Sequence, residues 1–188
     1  SNNEQDICSS DIGPGNCLID RWIKINSKFD YDNNGDISKQ GKINKQILNQ
    51  AIDNWDSAFY LNEKKLNKSY DVNDFDLSFL RGLSLEDGAA TVTEFTSHLI
   101  SENLNKMKNV NKIIICGGGR KNKYLLDKIS EKTKYKIELI DNYGINGDYV
   151  ESQAFALLAI RSLFNLPITF PKTTGCLKSS TGGIIIKN

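Results

Sequence analysis

The sequence predicts a helix-rich α/β domain with a small, partly parallel sheet. Three observations carry that prediction. Apolar residues recur at helical spacing through much of the chain, as in "INKQILNQAIDNWDSAFY". One short apolar run, "KIIIC", is rich in β-branched residues and bounded by Asn111 and three glycines, the pattern of a buried strand in a parallel sheet. A helical stretch, "KNKYLLDKISEKT", then leads to a second strand-like run, "YKIELI", which completes a β-α-β unit. Strands are few for so many helices, an imbalance that points to missing strands.

Taken in order, residues 1–10 read as a lead-in ending in a short strand, "DICS", and residues 11–188 as one domain. Leu18, Ile19, Trp22, Ile23 and Ile25 follow the breaker-rich "GPGN", so a helix is expected from near Asn16, with Asn16 as its N-cap. A second helix carries Ile43, Ile47, Leu48, Ala51, Ile52, Trp55 and Phe59 as one apolar stripe. Residues 61–80 are mostly polar and read as loop. Ser84 stands three residues before Asp87 ahead of a long apolar-periodic run, a capping-box start for the next helix. After the β-α-β unit, "YVESQAFALLAIRSLF" is apolar on most sides and is expected to be a buried helix closed by Pro167. The last run, "GGIIIK", is expected to be a short strand or a tail packed back on the domain.

At 188 residues the chain is about one domain by the usual range of roughly 100–200 residues. With 24 Lys+Arg, 23 Asp+Glu and a net charge of +1, it lacks the basic footprint of a nucleic-acid or anionic-membrane binder. Cys8, Cys17, Cys116 and Cys176 form no CxxC pair, and His98 is the single histidine, so they make no zinc-type ligand set. With no leader and no apolar run of membrane length, the expectation is a reduced, cytoplasmic protein.

Four stretches bear on chemistry. "DYDNNGDISKQG", from Asp30, matches a calcium loop at positions 1, 3, 5 and 6, but Gly41 stands where the bidentate glutamate belongs, so a polar turn between two helices competes with it. "CGGGRKN" follows a strand and opens a helix; its spacing is not GxGxxG, yet Gly117, Gly118 and Gly119 allow close backbone approach by phosphates, or serve only a tight turn. No Walker A motif occurs. Asp11 of "SDIGPGN" either orients a nucleophile at a helix entrance or stabilises the turn. Glu151 either completes a capping box with Asp148 as N-cap, or acts as a general base if burial raises its pKa.

"DIGPGNCLIDRW", "YDNNGDISKQGKIN", "NKSYDVNDFDLSFL", "LEDGAATVTEFTS", "IIICGGGRKNKYLL", "GINGDYVESQAFALLAIR" and "FPKTTGCLKSSTGG" occur in the order and at the spacing of one family. From Asp11 onward the chain resembles the C-terminal half of the anhydro-N-acetylmuramic acid kinases, members of the acetate and sugar kinase, heat-shock ATPase and actin superfamily. The resemblance implies a ribonuclease-H-like (actin-like ATPase) C-terminal lobe over residues 11–188, its first strands missing with the N-terminal lobe. It implies ATP and Mg²⁺ as cofactors and hydrolytic ring opening of 1,6-anhydro-N-acetylmuramic acid to the 6-phosphate, in peptidoglycan recycling, with the chain inactive alone. By motif position, Asp11 and Glu151 resemble the catalytic carboxylates. Gly13, Gly15, Asn16, Gly117, Gly118, Gly119 and Asn122 resemble the nucleotide-binding residues, and Lys68 a substrate contact. The implied partners are the anhydro-amino-sugar, ATP and the missing lobe, with a homodimer as a candidate assembly. Ile12 replaces the family threonine of DTGPGN, and Val72 stands where an arginine is expected. These departures keep open a non-catalytic nucleotide- or sugar-binding module, with a calcium-binding module third.

Overall fold

The computed structural model describes residues 7–61, 75–184 and 186. Helix α1 (Cys17–Asn26) presents Leu18, Ile19, Trp22 and Ile23 to the core, at the spacing that puts them on one side. It begins where expected, but Asn16 does not cap it with its side chain. Two short 3₁₀ turns, Asn33–Gly35 and Ser38–Gln40, lead to α2 (Lys45–Leu61). Here Asn44 accepts a bond from the Ile47 amide through Oδ1 at 3.1 Å, which stabilises the first turn. Between them, the calcium-like stretch turns its chemistry inward. Asp32 is buried, and its carboxylate accepts from the amides of Ile37 (2.8 Å) and Ser38 (2.9 Å) and from the Ser38 hydroxyl (2.6 Å). Asp30 points outward to Lys24 at 3.4 Å. Gly41 marks a close crossing, because a Cβ there would overlap the Glu86 carbonyl.

Helix α3 (Leu85–Lys106) is the axis of the domain, packed on by α1, α2 and α4. Its Ser84 cap accepts from the Asp87 amide at 3.1 Å, as the capping pattern predicts. Ala89, Thr91, Thr93, Thr96, Ser97 and Ser101 are buried along it; their small volumes bring neighbouring helices close. Trp22 donates its indole N–H to the Leu85 carbonyl at 2.9 Å, so the largest core residue of α1 also satisfies its polar atom. On the α2 side, Trp55 stacks on Phe75 at 5.0 Å between centroids and meets Phe95 edge-on.

Strand β1 (Lys112–Ile115), helix α4 (Lys123–Lys132) and strand β2 (Lys136–Leu139) form the expected β-α-β unit, the strands parallel with Ile113 opposite Ile137. Among the described residues, one side of this ribbon is covered and the other is not. Ile113 and Ile137 pack against the core, whereas Ile114 is exposed, so the buried strand predicted for "KIIIC" is corrected to a half-covered one.

A 3₁₀ turn, Ile140–Tyr143, leads to α5 (Val150–Leu163), which ends before Pro167, and then to the short α6 (Pro171–Thr174). Helix α5 is the main departure from expectation: it is not buried. Phe155, Leu157, Ile160 and Leu163 are all more than half exposed, because no described element packs across them. The tail also differs. Ser162 reaches the Gly182 carbonyl through its hydroxyl, but Ile184 and Ile186 are exposed rather than packed back. Residues 7–10 form no strand; Ser9 donates its amide to the Lys172 carbonyl at 3.1 Å, a tether to α6 instead of a ladder. Among the described residues no helix is long and apolar enough to cross a membrane, and all four cysteines are free.

Candidate functional site

Three stretches far apart in sequence meet at one corner. The first is the turn before α1, where Gly15 takes a positive φ of 57° and Asn16 follows. The second is the glycine loop after β1, and the third the loop that enters α5. Asn122 Nδ2 donates to Asn16 Oδ1 at 3.4 Å, joining the first two. The Gly117 amide donates to the Gly147 carbonyl at 3.2 Å, joining the second and third.

The glycine loop is built from the strand outward. Gly117 has φ 75° and ψ −174°, a conformation that only glycine adopts without strain. The chain then makes a 3₁₀ turn, Gly118–Lys121, and enters α4. A Cβ at Gly117, Gly118 or Gly119 would meet no atom within 4 Å. Packing therefore does not require glycine at Gly118 and Gly119. What an absent side chain does provide there is room for a ligand to reach the backbone.

Asn122 is buried, and its Oδ1 accepts from the Leu125 amide at 3.0 Å, so it is the N-cap of α4. Its direct work is to fix the end of the glycine loop. Asn16 stands before α1 and touches Asn122, while Gly13 lies against Leu99 and Ile100 of α3. Asp11 is exposed at the start of this turn, and the next residue, Ile12, accepts from Asn103 Nδ2 through its carbonyl at 3.5 Å. Lys68 lies outside the described residues.

Glu151 sits in the first turn of α5 and is exposed. Two expectations for it are corrected. Burial is absent, since α5 itself is uncovered. The capping box is absent too: the N-cap is Tyr149 without a side-chain bond, because the Asp148 carboxylate is engaged elsewhere.

That engagement is what sequence reasoning missed. Arg120 is buried, and its guanidinium donates through Nε to Asp141 at 2.7 Å and through Nη1 to Asp148 at 2.8 Å and to the Gly117 carbonyl at 3.1 Å. Lys121 adds a second cation on Asp148 at 2.7 Å. Hydrogen bonds from Arg120 first and Lys121 second hold the Asp148 carboxyl well below the usual carboxylate range, and Arg120 does the same for Asp141. The two acids in turn raise the guanidinium's pKa further, so it stays charged at any pH of interest. The signal in the sequence was an arginine inside a glycine loop, followed by acids in "DNYGINGD".

Together these features define a helix-rich α/β protein with its candidate site at the carboxyl end of a parallel strand, where such folds place ligands. The chain belongs to the anhydro-N-acetylmuramic acid kinase family, whose family model matches residues 2–188. Proteins named anhydro-N-acetylmuramic acid kinase are similar to it across its length. That of Pelagibacter ubique is 47% identical over 195 residues, covering 100% of this chain and 51% of that protein. That of Zymomonas mobilis is 37% identical over 183 residues, covering 97% and 49%. That of Rhizorhabdus wittichii is 37% identical over 183 residues, covering 96% and 48%. The chain thus spans about half the length of the curated relatives it matches.

Proposed function

We propose that the chain is the C-terminal half of a cytoplasmic, ATP-dependent kinase that opens the 1,6-anhydro ring of anhydro-N-acetylmuramic acid and yields N-acetylmuramic acid 6-phosphate, a step of peptidoglycan recycling. The observation that carries it is the convergence of the turn after Asp11, the glycine loop and the entrance of α5 through the Asn16–Asn122 and Gly117–Gly147 bonds. The names of the relatives support the reaction. A ribonuclease-H-like lobe is compatible with the parallel strands and the helix between them.

Asp11 takes a proton from water as the water oxygen bonds to the anomeric carbon. The bond from that carbon to the 6-oxygen breaks, and the 6-oxygen accepts the γ-phosphoryl group as ADP leaves. Glu151, at the entrance of α5, is the second carboxylate of this site. The open backbone of Gly117, Gly118 and Gly119 faces the nucleotide phosphates, and Gly13, Gly15 and Asn16 complete the cradle. Asn122 acts by capping α4. Lys68 contacts the sugar. Phosphoryl transfer relies chiefly on positioning and charge neutralisation, which Mg²⁺ supplies when bound with ATP. Among the described residues no three His, Cys, Asp or Glu side chains converge to hold a metal. A Mg²⁺ ion held by phosphate oxygens with one or two carboxylates suits this donor set.

The uncovered faces of α5 and of β1 are where the other lobe packs, and without it the chain is inactive. The decisive experiment is Asp11→Asn in the full-length protein. Turnover is expected to fall by at least a hundredfold, in the range of a lost general base, with nucleotide binding retained. Near-normal turnover would overturn the role of Asp11.

A further inference from the structure

A buried arginine is a costly feature for a loop, since its guanidinium must be desolvated and is heavily penalised if left unmatched. Arg120 is 8% exposed, yet it belongs to neither the apolar core nor the reacting groups named above. Its partners come from two sides of the corner. Asp141 follows β2, and Asp148 immediately precedes the N-cap of α5. The Gly117 carbonyl, bonded to Nη1, belongs to the glycine loop itself. Gly147 lies so close that a Cβ there would overlap the guanidinium. The same glycine's carbonyl accepts from the Gly117 amide, so the peptide groups on either side of the Gly117 Cα are each held by a bond.

We propose that Arg120 is a positioning residue that locks the glycine loop and the entrance of α5 into one unit, presenting the Gly117–Gly119 backbone and the Glu151 carboxylate in fixed relation. It rests on the proposed function only in taking these two elements as parts of one site. The chemistry requires arginine. A planar fork can serve Asp141 on one edge and Asp148 with a carbonyl on the other, whereas a lysine ammonium is a point charge on a flexible stem. Lys121 does not substitute for it, because it reaches Asp148 from the exposed side and has no described bond to Asp141 or Gly117.

The test is hydrogen exchange on the 188-residue chain as the parent and as the R120M, R120K and D148N variants, with melting followed in parallel. R120M is expected to speed exchange by about tenfold to a hundredfold in segments 116–122 and 144–151, the scale of lost charged hydrogen bonds, with α1 and α3 unchanged. R120K is expected to rescue this only in part. D148N leaves Arg120 paired with Asp141, so it keeps the fold testable if R120M unfolds; it is expected to loosen segment 144–151 most. Unchanged exchange in both segments for R120M, or for D148N should R120M unfold, would overturn the proposal. So would an equal acceleration throughout α1 and α3, which a merely structural role produces. Titration with a fluorescent ATP analogue and Mg²⁺ separates the two claims. If the parent binds and R120M binds at least tenfold more weakly, the brace serves the nucleotide loop; equal binding by both would overturn that service. This titration is made on the full-length protein and its R120M variant; if the full-length parent does not bind, the nucleotide assignment fails while the exchange result still decides the brace.

Discussion

At the scale of single residues, the most instructive position is Gly41. The stretch from Asp30 resembles a cation loop in its first half, but the carboxylate that should point into the loop centre, Asp32, is saturated by two amides and the Ser38 hydroxyl. Ser38 in turn contacts the Thr93 hydroxyl of α3 at 3.0 Å, so these polar atoms anchor a turn to the core. At Gly41 the chain crosses the first turn of α3, with the Lys42 amide donating to Asp87 at 2.7 Å. Any side chain there must push two backbones apart. G41A is expected to lower unfolding free energy by roughly 1–3 kcal/mol, the usual cost of overpacking, measured by urea titration. G41E, which restores a glutamate at the twelfth loop position, is expected to show no calcium uptake by calorimetry. Tight uptake would show that the Asp32 bonds yield to a cation.

At the scale of elements, the corner is held by charge, and charge makes it sensitive to acid. Asp141 and Asp148 are held below the ordinary carboxylate range by Arg120, with Lys121 also on Asp148. Glu138 of β2 is held at about 2, chiefly by Lys136 and then by Tyr143. In the unfolded chain these groups titrate near their ordinary values of about 4. Because the folded values are lower, the unfolded state binds more protons as pH falls. The stabilisation is complete above the ordinary values and is lost as pH drops through the folded ones. The urea midpoint is therefore expected to fall between about pH 5 and pH 2, and to fall less steeply in D148N than in the parent. Identical slopes would mean that carboxylates other than Asp148 govern the acid limit. This layer was the least legible in the sequence. The periodicity of α1, α2 and α3 and the β-α-β unit could be read directly, because burial of one face leaves its period in the residues. The Arg120 brace could not, because its partners are set by how two loops fold back.

At the scale of the whole molecule, the residues divide into a closed end and an open end. Leu18, Ile23, Leu80, Val92 and Leu99 are fully buried around α3, whereas α5 shows Phe155, Leu157, Ile160 and Leu163 to solvent. The sequence of α5 does read as that of a buried helix. The helix itself forms over Val150–Leu163, its burial does not, and the chain spans about half the length of the curated relatives it matches. Glu151 is exposed on this same helix, and among the described residues β1 has a neighbour on one edge only. A contiguous apolar surface of this kind drives association. The chain alone is expected to self-associate with rising concentration in analytical ultracentrifugation, and a double variant, F155S with L157S, is expected to shift it toward monomer. Monomeric sedimentation of the parent at all concentrations would mean that α5 tolerates water.

The Asn16–Asn122 hydrogen bond joins residues 106 positions apart. The cap that the same Asn122 makes to Leu125 spans three. In kinetic terms the two halves of one side chain's bonding belong to different epochs. Local capping accompanies formation of α4, whereas closing a loop of that length carries an entropic cost that only a packed core offsets. The corner where these loops meet is therefore expected to come together late, on a core that is already formed.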